Sequence, residues 1–262
     1  MMRRASTFMA VLGLGALGLA ALSATASALP TLTARAAIVP ILKNPRKNSG
    51  PTWPGTGDIL GAPAALEVES KISGTEYGGF PSPVKQIKVY LPKGTKVSEN
   101  GFARCSETIL HEKGAAGCPL KSIASSPGEA NGVVSFGSER VHEKVSVQGF
   151  FNVGGGLVFS IVGTTPVSLE EFATATYVNT PTGVVATAEV PLIETVPGAL
   201  AASDEQFKIK IGAAFKQGKK LVSFGTVPNT CKGHLSGKAE VTFYSGETAS
   251  VLVSVPCPKH KK

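Results

Sequence analysis

Leu66-Glu67-Val68-Glu69-Ser70-Lys71-Ile72 switches between apolar or small residues and charged ones at almost every step. A period of two puts Leu66, Val68, Ser70 and Ile72 on one face of an extended chain and Glu67, Glu69 and Lys71 on the other. That pattern suits a strand with a dry side and a wet side, as in antiparallel sheets. It recurs downstream. Ile87, Val89 and Leu91 alternate with Gln86, Lys88 and Tyr90, and Phe207, Ile209 and Ile211 alternate with Lys208 and Lys210. Val241 and Phe243 alternate with Glu240, Thr242 and Tyr244, and Val251, Val253 and Val255 lead into Cys257.

Leu157-Val158-Phe159-Ser160-Ile161-Val162 is nearly all apolar and reads as a central strand buried on both faces. Gly154-Gly155-Gly156 before it reads as the turn of a hairpin from 145–153. Helix signals are short. Ser106 caps a segment to about Lys113 that Gly114 stops. Ser168-Leu169-Glu170-Glu171 fits a capping box, while Thr174, Thr176, Tyr177 and Val178 pull the same stretch toward strand. The 30 glycines and 18 prolines supply turns between about ten short strands. The expectation is an all-β fold, an antiparallel β-sandwich or jelly roll with one or two short helices in its connections.

The ends have a different character. Met1-Met2-Arg3-Arg4 precedes an uncharged apolar run from Phe8 to Leu22, and Ala26-Ser27-Ala28 is a small-residue cleavage signature. Residues 1–28 therefore read as a cleaved signal peptide, too short and wrongly flanked for a transmembrane anchor. Residues 29–60 carry Pro30, Pro40, Pro45, Pro51 and Pro54 with glycines and basic residues, and read as an extended leader or linker. Within it, the apolar patch 36–42 has the makings of one edge strand. One domain over 61–258 and a basic tail at 259–262 complete the organisation. Ile87-Lys88-Val89 ahead of Cys105 and Ile209-Lys210-Ile211 ahead of Cys231 leave a duplicated two-domain reading open.

Cys105, Cys118, Cys231 and Cys257 are an even set, without CxxC or zinc-finger spacing. In an exported chain such a set forms disulfides. Cys105–Cys118 and Cys231–Cys257 are the local pairing, each flanking a segment that turns back on itself, out of three connectivities. Export places the protein outside the cytosol, secreted or wall-associated. No cysteine follows the cleavage signature, so a lipid anchor is not indicated. Leu91-Pro92-Lys93-Gly94-Thr95 has the wrong order and place for a wall-sorting signal. The net charge of +8 is spread along the chain, apart from Lys43, Arg46 and Lys47 near the start and Lys259, Lys261 and Lys262 at the end. The partner stays open, with an anionic envelope polymer or another protein as candidates. Nucleic acid is not one, because aromatics are few and no reading motif occurs.

Gly101-Phe102-Ala103-Arg104-Cys105, then Cys118-Pro119-Leu120-Lys121-Ser122-Ile123, resembles a pattern in uncharacterised exported proteins of high-GC Gram-positive bacteria. Cys231, the stretch 239–243, Ser245-Gly246 and Cys257 are similar too. Ser125-Ser126-Pro127-Gly128 departs from the Gly-rich stretch usual after the second cysteine. The resemblance covers roughly 61 to 258 and implies one continuous all-β unit with two local cystines. It carries no activity.

Candidate sites are sparse. A glycoside hydrolase needs two carboxylates about 5–10 Å apart, one with a raised pKa. Aspartate is confined to Asp58 and Asp204, so glutamates would have to serve. Glu170 and Glu171 diverge, and Glu67 and Glu69 read as a strand's wet face. Trp53, the single tryptophan, lies in the leader, which disfavours a sugar-stacking platform. His111, His142, His234 and His260 form no HxH or HExxH, and no GxSxG or calcium loop occurs. Gly13–Gly18 matches GxGxxG only inside the signal, and Gly154–Gly156 lacks a phosphate-loop lysine. No catalytic, metal or cofactor residue is assigned. The expectation is a non-catalytic structural or binding module of the cell envelope. Its rivals are a wall-polymer hydrolase using glutamates and an apolar-ligand carrier lined by Phe150, Phe151 and the 157–162 strand.

Overall fold

The computed structural model describes residues 29–41, 61–136, 139–165, 167–195 and 197–257. The signal peptide, most of the leader with Trp53 and Asp58, and the basic tail with His260 lie outside the described residues. The long strands are β1 (Thr31–Pro40), β2 (Ala64–Ser73), β3 (Val84–Tyr90), β5 (Gly128–Phe136), β6 (Glu139–Phe151) and β7 (Leu157–Gly163). They continue with β8 (Leu169–Thr180), β9 (Gly183–Glu189), β10 (Ser203–Ile211), β14 (His234–Phe243) and β15 (Thr248–Pro256). Four short strands make two small ribbons: β4 (Lys96–Val97) with β13 (Gly225–Thr226), and β11 (Ala214–Gln217) with β12 (Lys220–Ser223). The all-β antiparallel expectation holds, and the two packed faces come from one sheet rolled on itself.

That sheet has 11 strands in the order β1-β2-β10-β5-β6-β7-β8-β9-β3-β14-β15, every neighbour antiparallel. Its two ends, β1 and β15, lie beside each other, so the sheet is nearly closed. An odd count of alternating strands makes the two end strands run the same way, and no ladder bonds join them among the described residues. β15 carries no charged residue and β1 only Arg35, the composition of unprotected edges. Each edge therefore shields the other.

β1 replaces the extended leader over Thr31–Pro40, and it takes in most of the patch at 36–42 expected to form an edge strand. Thr31–Pro40 pairs with β2 along its whole length, from Thr31 opposite Ser73 to Pro40 opposite Ala64. Leu32, Ala34, Ala36 and Ile38 share the inner face, but small alanines make that alternation faint in the sequence. Pro40 is tolerated because it ends an edge strand. The capping box at 168–171 gives way to strand, since β8 pairs with β7 from Leu169 onward. The central-strand reading of 157–162 holds at its start and fades. Leu157, Val158 and Phe159 are buried, whereas Val162 is 39% exposed.

The reason lies outside the sheet. α1 (Glu107–Lys113) and the Cys105–Cys118 bridge cover the outer face at Phe150 and Val158, with Leu110 between them, and stop short of Val162. The Ser106 hydroxyl accepts the Ile109 N–H at 3.2 Å and Gly114 ends the helix at φ +62°. Ser106→Ala should cost about 1 kcal/mol in chemical denaturation, and an unchanged midpoint would show that the bridge alone holds this segment.

Inside, Phe102, Phe151, Phe215, Phe224 and Tyr177 form a chain of ring contacts with centroids 4.3–5.8 Å apart. Packing around it is tight: a Cβ on Gly149 would sit 2.8 Å from the Phe159 ring. A second cluster joins Leu32 and Ile72 to Val84, Val241 and Phe243, so β1 and β2 pack across to β3 and β14.

Candidate functional site

The outer face of β1, β2, β10, β5 and β6 is a lattice set by strand register. One row reads Arg35, Glu69, Lys208, Glu129, with opposite charges facing one another across four strands. Beside it Glu67 faces Lys210, their side chains 3.3 Å apart. Such cross-strand pairs satisfy the charges and pin the register. Glu67 and Glu69 thus do the surface work their alternation suggests.

The adjacent row differs. Lys71, Gln206, Asn131 and Lys144 stand in line, two amides between two lysines and no carboxylate among them. This row runs along a groove of about 570 Å³ that is also lined by Thr165, His142 and Glu205. The groove exists because β10 is irregular between Asp204 and Gln206, which leaves Glu205 out of the ladder. His142 Nδ1 lies 3.1 Å from Glu205 Oε2, and Lys144 Nζ lies 2.5 Å from Glu129 Oε2. Gln206 Nε2 donates to Glu69 Oε1 at 3.4 Å. Lys71 has no ion pair among the described residues.

Glu143 also borders the groove, but its carboxylate belongs to the other side of the sheet. Its neighbours His142 and Lys144 are exposed, whereas Glu143 is 3% exposed. Its Oε2 accepts the Val167 N–H at 3.1 Å and its Oε1 has no partner. Glu143 and Glu205 therefore do not face each other across the groove. A second depression, of about 240 Å³, is bordered by Glu67, Glu129, Lys208 and Lys210. Lys144 holds the Glu129 carboxyl below its ordinary value, first by its hydrogen bond and then by its charge.

Two other carboxyls are shifted upward, and both turn inward. Asp204 lies opposite Gly132, on the same face as Phe207 opposite Ala130, because the bulge reverses the alternation. Burial pushes its carboxyl up to about 6, against the lowering effect of the Val84 N–H bonded to it. The residue as a whole is half-buried, and its register aims the carboxyl itself into the interior. Glu171 faces inward opposite Ile161 and burial raises its carboxyl too, while Glu170 turns outward to His111, with Nδ1 and Oε2 2.8 Å apart. Sequence reading had no access to Asp204 as a buried acid, since the bulge that turns it inward leaves no residue signature.

The other sequence candidates fall as follows. Cys105–Cys118 and Cys231–Cys257 are both bonded, with Cα atoms 5.5 and 5.7 Å apart. Phe150 and Phe151 lie on opposite faces, Phe150 under α1 and Phe151 in the ring chain, so they do not line one cavity. Among the described residues no group of three or more His, Cys, Asp or Glu gathers as a metal site, and no helix is long and apolar enough to cross a membrane. Comparison with known proteins returns no similar family, curated relative or solved structure.

Proposed function

We propose that this chain is an exported, non-catalytic β module that works outside the cytosol, binding or organising a component of the cell envelope. One observation carries the reading. The carboxyls that burial shifts upward, Asp204 and Glu171, border neither depression, while Glu205, Glu129 and Glu67 on the outer face lie against His142, Lys144 and Lys210. General acid catalysis needs the opposite arrangement, a proton-holding carboxyl inside the cleft. The two cystines suit an oxidising compartment, and a cystine-held sheet offers the rigid surface that binding exploits. Phe150 and Phe151 pack on opposite faces of the sheet, which favours this reading over a carrier lined by both.

The test is an activity screen of the mature protein on wall and extracellular polysaccharides, read by release of reducing ends. No release is expected. Turnover abolished by Glu205→Gln or Glu129→Gln would replace the proposal with a hydrolase.

A further inference from the structure

We infer that the groove along Lys71, Gln206, Asn131 and Lys144 is the ligand site, and that it takes a hydroxyl-rich chain bearing repeated anionic groups, phosphodiester or carboxylate. This rests on the binding-module reading above and names its ligand.

Arg35, Glu69, Lys208 and Glu129 alternate in sign and sum to no net charge, and Glu67 and Lys210 pair at 3.3 Å. Such rows offer little net field. The Lys71 to Lys144 row breaks that rule where the bulge hollows the surface. Its Cα positions span three strand spacings, roughly 14 Å, with a cation at each end. The Gln206 and Asn131 amides between them carry donors and acceptors suited to hydroxyls. Among the described residues no Phe, Tyr or Trp borders the groove, so a neutral sugar face lacks a broad stacking platform, and attraction must come from the lysines. Glu205, the one carboxylate on this side, is already engaged by His142. Lys144 exchanges its exposed contact with Glu129 for the ligand at small cost, because both groups are solvated.

The test is calorimetric titration of the full mature protein with polygalacturonate, with poly(glycerol phosphate) and with neutral dextran, at low and at high salt. Binding of one or both anionic polymers is expected, weakened by salt, with no binding of dextran. Binding of one polymer only identifies the anion. Lys71→Ala and Lys144→Ala should each weaken binding about fivefold, the change that loss of a solvated charge contact of about 1 kcal/mol gives, and Lys71→Arg should restore it. Lys208→Ala, on the same face but in the self-neutralised row, should leave affinity unchanged. Equal losses in Lys208→Ala and Lys71→Ala would reduce the effect to general surface charge and overturn the site. Failure of both polymers to bind would overturn the ligand class while leaving the non-catalytic reading standing. Shortening of either polymer, read by size-exclusion chromatography of the same mixtures, would overturn that reading instead.

Discussion

Phe151→Ala should lower unfolding stability by about 4 kcal/mol in urea denaturation, the largest loss expected of any single change in this chain. Phe151 is 0% exposed and lies between Phe102, 4.3 Å away, and Phe224, 5.1 Å away, with Phe215 and Tyr177 one ring further out. These rings come from separate parts of the chain. Phe151 and Tyr177 belong to the main sheet, Phe215 to β11, and Phe102 and Phe224 to connecting segments. Removing the central ring forfeits its transfer free energy and leaves a void that neighbours anchored on separate elements cannot fully close. Phe151→Leu, which keeps most of the volume, should cost clearly less. A loss below about 1 kcal/mol for the alanine variant would mean that the ring chain is not the packing centre.

Asp204→Asn should stabilise the protein at pH 7.5, by about 2 kcal/mol, and do nothing near pH 3.5. The folded carboxyl titrates at about 6, above its ordinary value of 3.8, because burial disfavours the charged form. The folded state therefore binds more protons than the unfolded state between those values, and stability falls as pH rises through that window. Above it, wild type bears the full cost of the buried charge. A shift of this size corresponds to roughly 3 kcal/mol, reduced here because the residue is only half-buried. Asparagine keeps an oxygen for the Val84 N–H and carries no charge. Paired denaturation curves at the two pH values decide the matter. A gain that is equal at both, or larger in acid, would show that the Asp204 carboxyl does not face the interior.

Much of this architecture is legible in residue order. Val241, Phe243 and Ile209 are buried where the period of two assigns them, and Ser106 and Gly114 bound a helix as their side-chain chemistry requires. These features depend on neighbours a few residues apart, and short range is what a sequence displays. The start of β1 at Thr31 is obscured because Ala34 and Ala36 fill inner positions with little apolar contrast, so that only the patch from 36 onward stands out. At 168–171 the box pattern lost to strand pairing, an interaction with β7 that no local window contains.

The groove was not legible at all. Lys71, Asn131, Lys144 and Gln206 are dispersed over the chain and none belongs to a motif. They become a row only through the registers joining β2 to β10, β10 to β5 and β5 to β6. The same irregularity in β10 turns Asp204 inward and leaves Glu205 beside His142.

The sequence by itself determined the strand period, the helix cap and a locally paired set of cysteines, since each follows from the chemistry of residues close together in the chain. Only the tertiary structure decided that the strands roll into one nearly closed sheet, which side of it each acid faces, and which row of the outer face carries lysines without a carboxylate among them. Those outcomes depend on register and on one bulge, where a shift of a single residue exchanges the buried face for the wet one.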